Sequence, residues 1–271
     1  MKATFACSTS IGSNRPLPEA LAMIEALDAH KIDLLCIEGW AHVNPSALAA
    51  DFATEVARVE AWLAVHRQRV TALNVMTGAP LHLRAADMQR RRARESEALL
   101  ALMERWRIVV AALQLPLRTG ASWSEREQDE VMASAREEVD RAARAGRWLA
   151  LELHTRSPFE TPAQIARLLA AWPDVPIVYD PTHFLAQGIP LRATERFLRQ
   201  ARLIHLRDAA PGRLQVRLGD GALEIDWLLA AWREHHFSGH ISIEYLADPH
   251  ANFDLADSTR RLHDRVRQAL A

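Results

Sequence analysis

The sequence predicts a closed (β/α)8 barrel, and three observations predict it. Eight short apolar runs, each long enough for one strand, are spread along 271 residues. Amphipathic stretches with helix-start signals lie between them. No Gly/Pro/Ser-rich linker divides the chain, so residues 1–271 read as a single domain. Strands alternating with helices over short links imply a parallel sheet, and eight such units in about 250 residues imply closure. An open doubly wound sheet lacks support: no GxGxxG follows the first strand, and no GxxxxGK[ST] occurs.

The strands are expected at Ala3–Ser8, Leu34–Glu38, Val70–Val75, Ile108–Leu113, Trp148–His154, Ile177–Asp180, Leu203–Arg207 and His240–Tyr245. Most are continuous apolar runs, as parallel strands covered on both faces require. After the second strand, Asn44-Pro45 starts a helix that carries Leu48, Phe52, Val56, Val59 and Leu63 at helical spacing. After the third, Arg90, Arg91, Arg92 and Arg94 form the densest charge run, read as the solvated face of a helix. Ser124 to Glu127 is a capping box, and Gly146 ends that helix. Thr161-Pro162-Ala163-Gln164 opens another in the same way.

Composition sets the outer bounds. Hydrophobic types make up 49% and charged types 25%, enough apolar surface to exclude a disordered chain. Net charge is −1, from 33 basic and 34 acidic residues, so no global field favours nucleic acid or a membrane surface. No apolar run reaches the ~18 residues of a membrane span. Cys7 and Cys36 lie in separate strand-like runs with no CxxC pair, which predicts free buried thiols in a reducing compartment. The start MKATFACSTS lacks a long apolar core, so the cytoplasm is the expected location. A homo-oligomer is compatible with such a barrel, although no exposed apolar strip specifies one.

In this fold chemistry belongs at the C-terminal ends of the strands. In Trp148–His154, alternation puts the leucines on one face and Ala150, Glu152 and His154 on the other. The next strand ends Tyr179-Asp180, followed by Pro181-Thr182-His183. In the seventh, His205 and Arg207 share a face; in the eighth, Ser242 and Glu244 do. Four consecutive strands therefore deliver Glu152, Asp180, His205 and Glu244 to one end. Three carboxylates in a partly dry cavity need compensating charge, and one divalent metal ion is the economical source. Three oxygen donors and one imidazole suit Mn2+ first, then Mg2+, Co2+ or Fe2+, with Zn2+ admissible.

The segments LALELH, YDPTH, HLRD and the closing IEY resemble the strand-end motifs of the xylose isomerase-like TIM-barrel superfamily, most closely its sugar phosphate isomerase/epimerase group. Gly219-Asp220-Gly221 resembles that group's Gly-x-Gly loop before the eighth strand. The resemblance implies that Glu152, Asp180, His205 and Glu244 bind one metal ion, and that Glu152 and Glu244 are also the acid/base pair. It implies that His183 contacts substrate or a bound water, and that Arg207 reaches a substrate hydroxyl or phosphate. His154, Glu38 and Arg217 complete the expected substrate-binding set. Glu38 alternatively caps the next helix, and Arg217 lies near an arginine that some ketose epimerases use. Asp208 is expected to accept a nearby N–H. Trp40 and Trp123 fall in loops at the strand-end face, where hydrophobic cover is the simpler role. Thr182 departs from the group, which often has Gly there.

The activity implied is metal-dependent isomerisation or epimerisation of a sugar or sugar phosphate, by proton transfer through a metal-bound enediolate. A dehydratase of a keto-polyol or keto acid uses the same site. An endonuclease IV-like phosphodiester hydrolase needs histidines at the earlier strand ends, where this chain offers Ser8, Thr9, Glu38, Asn74 and Gln114. A non-catalytic sugar-binding barrel is the remaining alternative. The partner implied is a small sugar, with neither nucleic acid nor membrane.

Overall fold

The computed structural model describes residues 3–270. Eight parallel strands form the barrel wall: β1 (Thr4–Ser8), β2 (Lys31–Ile37), β4 (Arg69–Met76), β5 (Val110–Gln114), β6 (Trp148–Glu152), β7 (Ile177–Tyr179), β8 (Ala201–Leu206) and β9 (His240–Ile243). Each pairs with the next around the ring, and β1 pairs with both β2 and β9, which closes it. All eight predicted strands are present. The two-residue β3 (Ala41–His42), unforeseen in the sequence, pairs antiparallel with the end of β2.

The helices follow in the links: α1 (Leu17–Glu25), α2 (Pro45–Ala50), α3 (Phe52–Val65), α4 (Ala86–Trp106), α5 (Glu125–Arg144), α6 (Pro162–Ala171), α7 (Pro181–Ala186), α8 (Ile225–Glu234) and α9 (Leu255–Leu270). Both predicted capping boxes form, at Ser124/Glu127 and Thr161/Gln164. The single helix expected from Asn44 is two. Asp51 leaves helical geometry at φ −147°, and its carboxylate accepts the Thr54 N–H to start α3 anew. No helix among the described residues is long and apolar enough to cross a membrane.

The two faces of each strand do different work. Leu149 and Leu151 of β6 and Ile204 and Leu206 of β8 join the large core between sheet and helices. The opposite faces fill the barrel interior with a small apolar layer of Ala72, Val110, Ala112, Ala150, Val178 and Leu203. Going up each strand from that layer, the next inward positions are polar: Asn74, Gln114, Glu152, Asp180 and His205. Period-two alternation therefore places the apolar layer beneath and the polar one at the C-terminal rim.

The arginine run of α4 is not uniformly solvated. Arg92 is 1% exposed. Its guanidinium donates to the carbonyls of Ala79, Pro80 and Leu83 and lies 3.6 Å from Glu138 of α5. This side chain ties the loop after β4 to two helices. A buried guanidinium needs that many acceptors, and a non-local arrangement of carbonyls supplies them.

Cys7 and Cys36 are free and fully buried. Burial, with the charge of Asp33 adding to it, pushes the Cys7 thiol up to about 12 and that of Cys36 upward as well. Thiolate is the reactive form. Near pH 8, a disulfide-exchange reagent is expected to label neither cysteine in the folded protein and both after denaturation. Rapid labelling of the native protein would contradict this burial.

Candidate metal centre

Glu152 ends β6, Asp180 follows β7, His205 lies in β8 and Glu244 follows β9. All four are buried, and one ligand atom from each lies within 4.8 Å of the others. The local sequence explains why the side chains stay in place. Asp180 caps α7: its Oδ1 accepts the Thr182 N–H at 2.8 Å and also the Thr182 hydroxyl. Its Oδ2 accepts no hydrogen bond and faces the Arg207 Nη2 at 3.4 Å and the His183 Nε2 at 3.3 Å. Thr182, where the resembling group often has Gly, thus braces the carboxylate from below.

His205 Nδ1 lies 2.9 Å from Glu152 Oε1 and 3.2 Å from Glu244 Oε2. Glu152 Oε2 has no partner. Glu244 Oε1 accepts from Asn74 Nδ2 at 2.9 Å. Arg207 donates through Nη1 to the Glu244 carbonyl at 2.8 Å and to Oε2 at 3.1 Å, and through Nε to the Leu214 carbonyl at 3.1 Å. Arg207 therefore spans Glu244 and Asp180 as a fixed cation, and it also lines the cavity beside them.

Within the quartet three carboxylates face one guanidinium, that of Arg207, so negative charge is in excess. Glu152 Oε2 and Asp180 Oδ2 accept no hydrogen bond. One divalent ion would offset that charge, so the residues fit such an ion.

Electrostatics in the cluster follow from burial and neighbours. Burial pushes Glu152 above the usual carboxylate range, and Glu244 adds to the rise while His205 opposes it. Burial acts likewise on Glu244, but His205 and Arg207 overcome it and hold that group low. Burial also opposes ionisation of Asp180, and Arg207 and His183 hold it well below the usual range. Burial, His183 and Arg207 keep the His154 imidazole well below its ordinary value.

The remaining predicted residues divide. His154 lines the cavity and stacks on His183 with ring centroids 3.8 Å apart. His183, expected at the substrate, is fully buried with its Nε2 3.3 Å from Asp180 Oδ2, and with Glu152 and His154 it forms a second group whose ligand atoms lie within 4.8 Å of one another. Glu38 takes its alternative role. It accepts from the Ser46 N–H and hydroxyl at the start of α2, and pairs with Arg91. Arg217 is exposed in the loop after β8 and lies off the cavity; Arg213, four residues earlier, lines it instead. Asp208 accepts four backbone N–H groups, from Ala209, Gly219, Gly221 and Leu223, and so shapes the Gly219–Gly221 loop. A Cβ on Gly221 would meet Asp208 Oδ1 at 2.1 Å, so the loop needs glycine there. Trp40 lines the cavity, whereas Trp123 is buried and donates to the Arg156 carbonyl.

The cavity holds about 880 Å3, within the range of roughly 300–1,000 Å3 typical of small-molecule sites. Leu35, Ile37, Met76, Leu117, Leu246 and Phe253 form apolar wall; Gln114, His154, Arg207 and Glu244 are polar points on it. Arg156 and Arg213 are exposed residues of the same lining. Neither arginine carries a motif that would mark it in the sequence, since both sit in irregular loops.

Asp33 was missed altogether. It is 0% exposed in β2 and lies 3.3 Å from His205 Nε2. The expected strand started at Leu34, where the apolar run begins; the real one starts at Lys31.

Structural comparison finds the same architecture in proteins of distant sequence. D-allulose 3-epimerase from Methylomonas sp. superposes with a TM-score of 0.75 at 13% identity, covering 99% of this chain and 98% of that one. The IolI protein, in a crystal structure with a zinc atom, gives 0.68 at 18% identity, covering 100% and 98%. The probable 3-DHS dehydratase AsbF from Bacillus anthracis gives 0.71 at 15% identity, covering 98% and 99%. No curated protein matches the sequence. The family model described as xylose isomerase-like TIM barrel matches residues 18–268. With the closed parallel barrel and its strand-end cluster, that match places the chain in the xylose isomerase-like TIM-barrel family.

Proposed function

We propose that this protein is a divalent-metal-dependent isomerase or epimerase of a keto- or aldo-sugar, or of a sugar phosphate. The observation that carries the reading is the convergence of Glu152, Asp180, His205 and Glu244 beside a cavity of small-molecule size. The likeness to sugar epimerases supports it, and so does the zinc atom in the IolI structure. Mn2+ is the expected ion. A divalent ion held by the quartet supplies Lewis acidity, polarising a substrate carbonyl and offsetting charge that develops on its oxygen.

The chain's own residues do the rest. Glu244 lines the cavity and takes the proton from the carbon beside the carbonyl. Arg207 and Asn74 hold its two oxygens in fixed directions, so the base is aimed before substrate arrives. Glu152, three strands away around the wall, has an oxygen without partner and returns a proton from another side. Return to the neighbouring carbon, with the adjacent hydroxyl proton passing to the former carbonyl oxygen, gives 1,2-isomerisation; return to the opposite face of the same carbon gives epimerisation. General acid/base transfer of this kind contributes about 10²–10⁴-fold. His154, kept neutral, binds a substrate hydroxyl, and the apolar wall excludes water from the carbanion. Arg156 and Arg213 give a phosphate a place at the opening.

The likeness to AsbF supports a second reading on the same groups, in which a hydroxyl next to the carbanion leaves as water. One experiment separates them. Mn2+-loaded protein is incubated in D2O with a panel of ketoses, aldoses, their phosphates and keto acids. Deuterium at the carbon beside the carbonyl, with an isomer or epimer of equal mass otherwise, supports the isomerase reading. A product lighter by one water supports the dehydratase. No exchange and no product across the panel would contradict both.

A further inference from the structure

We infer that Asp33 is the residue that orients His205 for the metal ion, by accepting the Nε2 proton of its imidazole. The inference rests on the metal-binding reading above and extends it to a side chain at an otherwise apolar level of the barrel.

Inward positions near the middle of the wall are otherwise apolar: Ala72 of β4, the register partner of Asp33, belongs to the interior layer with Val110, Ala112, Ala150, Val178 and Leu203. Asp33 is fully buried at that level, and neither of its oxygens has a well-formed hydrogen bond. Its one ion-pairing neighbour among the described residues is His205 Nε2, at 3.3 Å. That nitrogen is likewise without a well-formed hydrogen bond. A solitary buried carboxylate is costly, and a hydrophobic residue of similar size would pack this layer better. Its presence calls for a task.

The geometry supplies one. The imidazole has two nitrogens on opposite sides of its ring. Nδ1 faces Glu152 and Glu244, at 2.9 and 3.2 Å, and Nε2 faces Asp33. A neutral imidazole carries its proton on one nitrogen and a lone pair on the other. With Nε2–H donated to Asp33, the lone pair stands on Nδ1, inside the quartet. Without that acceptor, the proton can settle on Nδ1, where it blocks coordination and pairs with Glu152 instead. A carboxylate behind a ligating histidine fixes tautomer and ring angle, and losing it typically costs 10–100-fold in metal affinity. Asp33 is therefore a positioning residue that touches neither ion nor substrate.

The test is Mn2+ titration of chelator-stripped protein, followed by electron paramagnetic resonance, for wild type, D33N and D33L. Circular dichroism and melting curves confirm that each variant is folded; if D33L fails to fold, the isosteric D33N carries the test. The expected result is a Kd for Mn2+ raised about 10–100-fold in D33L. D33N keeps an oxygen that can accept the Nε2 proton and is expected to lose less. The same substitutions are made in an H205A background, where a residue acting through His205 has nothing left to orient, so D33L adds no further loss. Wild-type affinity in both single variants would overturn the inference. An equal D33L loss with and without His205 would overturn it too, since the charge of Asp33 would then act on the ion directly. Absence of Mn2+ binding by wild type would instead sink the metal reading itself.

Discussion

Glu244→Gln is expected to slow proton exchange between substrate and solvent by orders of magnitude while leaving the fold intact. The structure shows why the substitution is mild sterically. Glu244 Oε1 accepts from Asn74 Nδ2, and Asn74 Oδ1 has no partner. A Gln amide at that place is accommodated when the Asn74 amide turns over and offers its oxygen. The other oxygen keeps its contact with Arg207. The variant therefore retains shape and much of the metal affinity but loses the lone pair that takes the proton. Turnover is expected to fall about 10²–10⁴-fold, the usual contribution of a general base. Deuterium incorporation in D2O, measured by mass spectrometry on substrate recovered before equilibrium, is the direct check. Unchanged exchange in the variant would remove Glu244 from the proposed role.

Arg207→Met is expected to have the largest effect on stability. Its guanidinium is 3% exposed and lies against Asp180 and Glu244, with further bonds to the Glu244 and Leu214 carbonyls. Removing one partner of a buried charge pair typically costs about 3–5 kcal/mol, because the other partner stays buried. In a chain of this size that corresponds to a melting temperature roughly 6–20 °C lower for the metal-free protein. The sign of the metal effect is distinctive. Without Arg207 the site is one unit more negative, so Mn2+ is expected to raise the melting temperature of the variant more than that of wild type. Equal stability of the two metal-free proteins would contradict the cage drawn around Arg207.

Much of this arrangement is written locally. Parallel strands buried on both faces leave continuous apolar runs, and alternation along Trp148–Glu152 and Ala201–Leu206 already separates the leucines and isoleucines from Glu152 and His205. Capping boxes depend on neighbours three residues apart, and both formed as expected. What escaped depends on residues far apart in the chain. Asp33 looks like the polar lead-in to an apolar run until β8 brings His205 to meet it. Arg92 reads as one member of a charged helix face until the loop after β4 turns three carbonyls onto it. Glu38 sits at a strand end like the others, yet Ser46 and Arg91 claim it. Arg213 rather than Arg217 borders the cavity, because the loop geometry after β8, not spacing, decides which arginine turns inward.

The central claim is that Glu152, Asp180, His205 and Glu244 hold one divalent ion. Its most direct test is metal content by mass spectrometry on protein stripped with chelator, reloaded with Mn2+ and desalted, with His205→Ala in parallel. The account predicts about one ion per chain in wild type and its loss in the variant. No bound metal in wild type, or undiminished metal in His205→Ala, would contradict it.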